Sequence, residues 1–317
     1  MSVHHHRRAA ALVTALAGSV GLVLASPAHA TYPGKNGLIA FHSETAKGTQ
    51  IFTVRPDGRH LRQITHVDGD AGSPDWSPDG RMIAFDIATE VSVQIATMNA
   101  DGSGLHTLGI APGNIVEADA SFTPDGRRLL FNTSNGSVET QSSMKLDGTG
   151  RRLIKTGPSW DPNVSPDGRR LAFTAFNDQP GGQALFTSGV DGSNPTATTP
   201  FSFNVGAKLD WAPDGRRLAF IHNADFARPG ESANIATIRP NGAGLRLVTN
   251  YRGAKVNAFV GTYSPDGRWI VFRLEAHGRF GLYKVRPDGT HLRPILGLSG
   301  FAPRFIDWGA RPRRATP

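Results

Sequence analysis

The sequence predicts an all-β protein, a six-bladed β-propeller in which each blade is a four-stranded antiparallel sheet. Three observations predict this fold. One turn motif occurs five times and a second occurs six times. The two motifs alternate along the chain at about 40–50 residues, which is the spacing of propeller blades. The chain also begins and ends out of phase with this repeat, so that its two ends complete one shared blade.

The first motif ends in Pro-Asp-Gly-Arg and follows an apolar, usually aromatic, residue. Its copies occupy residues 76–81, 122–127, 164–169, 211–216 and 263–268. The Asp residues within them are 46, 42, 47 and 52 positions apart. Pro presets φ for the second position of a turn, and Gly supplies the positive φ that closes it. Each copy is therefore predicted to be a hairpin turn, joining strand A of a blade to strand B.

The second motif is Asp-Gly or Asn-Gly, and it predicts the hairpin that joins strand C to strand D. Its copies lie at 57–58, 101–102, 147–148, 191–192, 241–242 and 288–289. The runs that follow the first motif, such as 82–85 and 269–272, are short and apolar enough to be buried strands. Each repeat is therefore predicted to contain four antiparallel strands.

The ends of the chain indicate how the ring is closed. Residues 36–41 match strand B and have no strand A before them, whereas residues 303–309 match strand A with no repeat after them. We expect the C-terminal strand to pair with the N-terminal blade, which leaves no open sheet edge. The predicted blades are 303–310 with 37–65, then 73–108, 119–154, 160–199, 207–249 and 259–296.

The first thirty residues have the pattern of a secretory signal peptide. Arg7 and Arg8 precede an apolar run at 9–25, and Ala-His-Ala at 28–30 matches a cleavage site with small residues. The mature protein is then expected to begin at Thr31 and to be secreted or extracytoplasmic, in the periplasm or cell envelope. No later segment is apolar enough to predict a membrane span.

Composition restricts the chemistry that remains. The chain has no cysteine, which excludes disulfides, thiolate catalysis and cysteine metal sites. The formal charge is +8, but part of it belongs to the signal peptide and to the basic Pro/Arg tail at 311–317 that follows the propeller at 31–310. The other arginines recur once or twice per repeat, so we expect them to spread around the ring. This spread predicts that the protein has no nucleic-acid partner. We also expect a monomer with no metal and no other cofactor.

Taken together, the motif Trp-Ser-Pro-Asp-Gly-Arg at 76–81 and the strand Ile-Ala-Phe at 83–85 resemble the TolB-type propeller repeat, a relative of WD-type repeats. The resemblance covers about 270 of the 317 residues. It implies a protein-binding ring, because the family's namesake is periplasmic and contacts a peptidoglycan-associated lipoprotein. The partner implied for this chain is a protein or peptide, including a component of the cell envelope.

A binding site is expected on the face formed by the D-to-A and B-to-C loops, the loop face, because the tight hairpins occupy the opposite turn face. The acidic candidates come early in the chain and the basic and aromatic ones late, which suits a peptide or protein partner. The candidate binding residues are Asp70, Glu117, Asp119, Trp160, Asp161, Lys208, Tyr251, Arg252, Lys255 and Arg304.

A second candidate is the position just before the apolar residue of the first motif, which is polar in all six blades. These residues, the polar ring, are Asp75, Ser121, Asn163, Asp210, Thr262 and Asp307. We expect them near the axis of the propeller. They form either a small polar or cation site at the mouth of the channel, or hydrogen bonds between crowded inner strands.

Three functions are compatible with these features. The first is a non-catalytic secreted scaffold that binds a protein or ligand through the loop face, since no catalytic motif occurs in the sequence. The second is an enzyme acting on a polysaccharide, a lyase or hydrolase, which predicts that Asp119, Asp161, Lys208 and Arg252 converge on one pocket. The third is a module that binds a membrane or wall polymer through the basic tail.

Overall fold

The structure is a computed structural model that describes residues 32–313, except 91, 110–114, 136–138, 158, 178–181, 207, 225–230 and 254, and except the side chains of 155 and 156. The predicted signal peptide at 1–30 and residues 314–317 of the tail lie outside the described residues. Among the described residues, none of the helical segments is long and apolar enough to cross a membrane.

Six four-stranded antiparallel sheets form the fold, as predicted. Blade 1 contains β1 (Asn36–Thr45), β2 (Gly48–Val54), β3 (Arg62–Gln63) and the last strand, β24 (Arg304–Ala310). Blade 2 contains β4 (Asp70–Trp76), β5 (Met82–Ala88), β6 (Val93–Asn99) and β7 (His106–Thr107). Blade 3 contains β8 (Val116–Phe122), β9 (Arg128–Ser134), β10 (Glu139–Lys145) and β11 (Arg152–Thr156).

The second half of the chain repeats this arrangement. Blade 4 contains β12 (Ser159–Val164), β13 (Arg170–Phe176), β14 (Gln183–Gly189) and β15 (Thr196–Ala197). Blade 5 contains β16 (Leu209–Trp211), β17 (Leu218–His222), β18 (Asn234–Ile238) and β19 (Arg246–Leu247), preceded by a 3-10 turn at Phe201–Phe203. Blade 6 contains β20 (Val256–Tyr263), β21 (Ile270–Ala276), β22 (Arg279–Val285) and β23 (Arg293–Ser299).

The strand A of each blade contacts strand A of the next, and β20 of blade 6 contacts β24, so the sheets form a closed ring. Several strands A begin three residues before the predicted blade boundary, at Asp70, Val116 and Val256. The reason is a β-bulge, an extra residue that interrupts the ladder between strands A and B without ending it. The predicted blade boundaries therefore fall inside strands that continue to the loop face.

The Pro-Asp-Gly-Arg motifs form the predicted hairpin turns, and the turn of blade 2 shows how they are stabilised. Gly80 has φ of +67°. The carboxylate of Asp79 accepts hydrogen bonds from the hydroxyl of Ser77 at 2.7 Å and from the backbone amide of Arg81 at 3.0 Å. This network closes the loop with its own polar groups, so the turn needs no partner from another blade.

Apolar side chains from neighbouring blades meet between the sheets. The fully buried phenylalanines of strand B are Phe41, Phe85, Phe131, Phe173, Phe220 and Phe272. The apolar residue of the first motif is also buried, and Trp76 and Trp211 are 3% and 0% exposed. Burial of large aromatic and aliphatic groups thus stabilises a chain that has no disulfides.

Ring closure takes place in blade 1, as the ends of the sequence predict. β24 pairs antiparallel with β1, which brings Trp308 opposite Ile39 and Asp307 opposite Ala40. Gly309 packs directly on the ring of Trp76 in the next blade, where a Cβ would lie 2.5 Å from the nearest ring carbon. The seam therefore depends on the absence of a side chain at this position.

The variant Gly309→Ala should lower the free energy of unfolding by about 1–3 kcal/mol, the usual cost of overpacking a core. Gly297→Ala is the matched control, because nothing lies within 4 Å of a Cβ built at this position in β23. Chemical denaturation of the two variants and the wild type measures the difference. Equal losses in both variants would show that the seam is not tightly packed.

Candidate functional site

The inner strands carry a second ring of side chains at the β-bulges, one layer closer to the loop face than the polar ring. Four bulge residues have positive φ, a backbone conformation that turns their side chains away from the regular strand alternation. They are Ser73, Asp119, Asp161 and Phe305, with φ of 47°, 54°, 52° and 45°. Lys208 and Val260 occupy the corresponding positions in blades 5 and 6.

The carboxylates of the polar ring bind the backbone of the next blade. Asp307 accepts a hydrogen bond from the amide of Trp76 at 2.7 Å, and Asp75 accepts one from the amide of Phe122 at 2.9 Å. Asp210 accepts the amide of Tyr263 at 2.7 Å. In each case the acceptor lies in one blade and the donor in the following blade, so these side chains connect the inner strands around the ring.

The other members of the polar ring also connect neighbouring blades. The hydroxyl of Ser121 donates to the carbonyl of Pro162 at 2.7 Å, and the hydroxyl of Thr262 donates to Asp210 at 2.6 Å. At Asn163 it is the backbone carbonyl that takes part, accepting the indole N–H of Trp211 at 3.0 Å. Of the two alternatives left by the sequence, the contacts therefore match hydrogen bonding between crowded inner strands.

The space left on the axis is small. Polar-ring residues, Tyr32 and Lys208 line a cavity of about 20 Å³. That is room for about one water molecule, which needs roughly 10–15 Å³. The hydroxyl of Tyr32 donates to the carbonyl of Phe122 at 3.0 Å, which ties the segment before β1 to this region. An organic ligand does not fit in this cavity.

Lys208 supplies the positive charge for this acidic centre. Burial alone would lower the pKa of its ammonium group, but the carboxylates of Asp161 and Asp307, followed by the other acids of the ring, raise it above its ordinary value. Burial raises the pKa of Asp161 to about 6, and Lys208 opposes that rise. Burial and the charge of Asp307 likewise raise the pKa of Asp75. The carboxylates thus have an internal counter-ion within the chain.

The early acidic candidates of the loop face are engaged within the fold. Glu117 is buried and forms an ion pair with Arg151. Asp119 accepts hydrogen bonds from the hydroxyl of Ser73 at 3.1 Å and from the side-chain amide of Asn132 at 3.3 Å. Asp70 remains exposed and accepts the backbone amide of Thr49 at 2.6 Å.

The aromatic and basic candidates differ in their accessibility. Trp160 is 38% exposed, packs edge-on against Phe176 and donates its indole N–H to Glu139 at 3.0 Å. Tyr251 is half-buried, and its backbone is held by the side chain of Asn234. Three further candidates are exposed or reach the surface of a cavity. They are Arg252, Lys255 and Arg304.

A cavity of about 260 Å³ opens on the loop face between blades 5, 6 and 1. It brings together two predicted residues, Lys208 and Arg304, and adds Arg273, which the sequence reasoning missed. Arg273 directly follows Phe272, the buried phenylalanine of strand B. The corresponding residues of the other blades are His42, Asp86, Asn132, Thr174 and Ile221. An arginine in this mostly uncharged or acidic series was the signal available in the sequence.

The turn face carries a cationic cleft that contradicts the expected even spread of arginines. Four arginines and Trp269 line a cavity of about 560 Å³ between blades 5 and 6. The arginines are Arg217, Arg246, Arg268 and Arg286. These arginines come from different hairpins of the sequence and meet here because adjacent blades place their hairpins side by side. Tail residues Arg311 and Arg313 line a separate cavity of about 960 Å³ on the same face.

Within the described part of the chain, no group of three or more His, Asp or Glu side chains is placed to hold a metal ion.

Known proteins that are similar to this chain agree with the fold described above. No family model matches the chain. Tol-Pal system protein TolB of Francisella tularensis subsp. holarctica is 23% identical over 239 residues, which is 72% of this chain and 51% of the relative. The protein of the same name from Nitratidesulfovibrio vulgaris is 30% identical over 129 residues, 39% of this chain and 29% of the relative. The chain thus spans about half or less of the length of these curated relatives.

Among solved structures, TolB from Acinetobacter baumannii superposes with a TM-score of 0.71 at 19% identity, covering 88% of this chain and 68% of the other. A second structure, described as a putative TolB from Agrobacterium tumefaciens, gives a TM-score of 0.63 at 17% identity, covering 84% and 91% of the two chains. At these identities the similarity shows the fold.

The variant Lys208→Met should unfold more easily at pH 7.5, by about 3 kcal/mol, because it leaves buried carboxylates without their counter-ion. Asp161 has a pKa near 6 in the folded protein, above the unfolded value of about 3.9. Its ionised form therefore lowers the free energy of unfolding, and this loss disappears as the pH falls from about 6 toward 3.9. Removing Lys208 raises that folded pKa further. The loss should therefore be smaller at pH 5 than at pH 7.5.

Denaturation curves at the two pH values measure this difference. Lys255→Met is the control, because Lys255 is exposed on the same face. A loss that is equal at both pH values would show that Lys208 does not neutralise the acidic centre.

Proposed function

Because the chain is a TolB-like six-bladed β-propeller, we propose that it is an exported, non-catalytic scaffold that binds a protein or peptide partner through its loop face. The curated relatives named above are called Tol-Pal system proteins, and this name supports a role for the chain in a protein assembly. The signal-peptide pattern at 1–30 supports action outside the cytoplasm, in the periplasm or cell envelope. The proposed state is a monomer that binds no nucleic acid and needs no cofactor.

The observation that carries this proposal is the contrast between the axis and the loop face. The polar ring is used in hydrogen bonds between blades, and the space beside it holds about one water molecule. The loop face instead offers exposed Trp160, the exposed bases Arg252 and Lys255, and the cavity beside Arg304. Aromatic and arginine side chains contribute strongly to binding at protein interfaces.

Charge supports a polypeptide partner. Asp70 is exposed in blade 2, whereas the accessible bases of this face belong to blades 6 and 1. A surface with an acidic and a basic side orients a partner that carries the complementary pattern. This asymmetry favours an extended peptide or a folded protein over a small neutral ligand.

The hypothesis of a polysaccharide enzyme requires that the four side chains named for it in the sequence analysis lie around one pocket. Of these four, Lys208 alone lines the axial cavity and the loop-face cavity described above. Asp119 is hydrogen-bonded to Ser73 and Asn132, and Arg252 is exposed. The geometry thus favours the scaffold, and the wall-binding role of the tail stays a prediction.

Export can be tested directly. The full-length precursor, produced in a bacterial host, should appear outside the cytoplasm with Thr31 as its first residue, because the small residues at 28–30 fit the cleavage rule. Cell fractionation followed by N-terminal sequencing measures both properties. Retention of an uncleaved chain in the cytoplasm would contradict the proposal.

The binding face can be mapped by site-specific photo-cross-linking. A benzoylphenylalanine placed at Trp160 or Arg304 should form adducts with a specific protein of the cell envelope. The same group at Arg169 or Arg216, which follow hairpins on the turn face, serves as the control. Adducts are separated by electrophoresis and identified by mass spectrometry. Adducts formed only from the turn-face positions would exclude the loop face.

A further inference from the structure

The cavity between blades 5, 6 and 1 has an apolar wall. Ile221, Val260 and Ile306 are 6%, 4% and 1% exposed, and the half-buried rings of Phe259 and Phe305 extend the same wall. Its volume of about 260 Å³ is slightly below the roughly 300–1,000 Å³ of pockets that hold drug-sized ligands. The cavity is therefore suited to about one amino-acid residue.

Arg273 is a charged residue of this cavity whose side chain is largely buried. Its side chain is 13% exposed, and its guanidinium lies 4.2 Å from the ring centroid of Phe259. Its Nε is buried and has no hydrogen-bond partner among the residues that the structure describes. A terminal nitrogen lies 3.6 Å from the carboxylate of Glu275, which is a loose ion pair. A planar cation with an unused donor is thus held at the edge of an apolar cavity.

Glu275 does not fully compensate the positive charges of Arg273 and Arg304. Burial, and then the charge of Arg304, lower the pKa of Arg273 to about 10 in spite of Glu275. Burial and the charges of Arg304 and Arg273 also lower the pKa of nearby His42 to about 4, so this imidazole is neutral at physiological pH. Its Nδ1 accepts the amide of Ser73 at 3.1 Å. The two arginines therefore repel each other, and a bound anion would relieve that repulsion.

We propose that this cavity binds the C-terminal residue of a partner polypeptide, with an apolar side chain against Ile221, Val260 and Ile306 and the free carboxylate on Arg273 and Arg304. This assignment rests on the proposed function, because it names the part of the partner that the loop face recognises. Arginine pairs with carboxylates through two parallel hydrogen bonds, and such charge-assisted bonds are the stronger ones.

The chemistry of a chain end fits both parts of the site. A C-terminal residue carries its side chain and its carboxylate on the same Cα, so a single residue reaches the apolar wall and the guanidinium groups together. A phosphate would leave the apolar wall unused. An internal residue would need space for the chain to enter and leave a cavity of only about 260 Å³.

The test uses the mature protein and a pair of probe peptides, acetyl-Gly-Gly-Phe as the free acid and as the C-terminal amide. Calorimetric or NMR titration should show the acid binding at least about tenfold more tightly than the amide, because the amide cannot form charge-assisted hydrogen bonds. Arg273→Met and Arg304→Gln should each weaken binding of the acid by about tenfold and leave the amide unchanged. Met preserves contact with Phe259, and Arg304 is exposed, so both variants should fold.

Arg252→Gln is the matched control, since this exposed arginine of the same face does not line the cavity. It should bind the acid as the wild type does. Equal affinity for acid and amide, no binding of the acid up to about 10 mM, or normal binding by both cavity variants would overturn the proposal.

Binding of decanoate without binding of the peptide would also overturn the proposal, by assigning the cavity to a free amphiphilic carboxylate. Such failures, combined with intact cross-linking from Trp160, would remove this site and leave the scaffold role. Peptide binding without any cross-linked partner would support this site and count against the scaffold role.

Discussion

The fold depends on hydrogen bonds that pass from a side chain at the axis of one blade to the backbone of the next. Asp307, Asp75 and Asp210 each accept the amide of the buried aromatic residue that follows in the ring. An acceptor at this place satisfies a backbone N–H that has no water to bind, and it fixes the distance between neighbouring inner strands. Because these acceptors are carboxylates, the same arrangement concentrates negative charge on the axis. The position of Lys208 follows from that charge, since buried acids are stable only when they are protonated or paired.

This requirement leaves little free space on the axis. A channel lined with acids could attract a cation, but the chain supplies its own ammonium group there, from Lys208. The carboxylates also accept hydrogen bonds from backbone amides. What remains is a space of about 20 Å³. The proposed partner surface lies further out, at the layer of the β-bulges and the loops above them. In the proposed function, recognition and stability therefore belong to adjacent layers of the same inner strands.

The sequence predicted the parts of this structure that are local or repeated. The hairpins are closed by their own residues, as Ser77 and Asp79 show in the turn of blade 2, so a short motif suffices to identify them. Ring closure followed from the phase of the repeat. Two kinds of feature could not be read in this way. The β-bulge shifts the side-chain alternation by one residue, so the directions of Asp119 and Asp161 depended on a backbone conformation that no residue type in the pattern required. The arginine cleft beside Trp269 depends on which hairpins become neighbours, which is a property of the ring and not of one repeat.

The proposed binding cavity depends on one position of strand B, whose side chain makes different contacts in different blades. In blades 1 and 2, the residue after the buried phenylalanine of strand B reaches the bulge of the next blade. In blade 1, His42 accepts the amide of Ser73, and in blade 2, Asp86 accepts the amide of Asp119 at 3.2 Å. Both side chains can accept a hydrogen bond. Arg273 holds the same position in blade 6, but a guanidinium has only donors and cannot receive a backbone N–H. It therefore cannot form the kind of contact that joins blade 1 to blade 2 and blade 2 to blade 3, and it lines the cavity between blades 5, 6 and 1 instead. The proposed carboxylate site therefore depends on a side chain in blade 6 that has donors only.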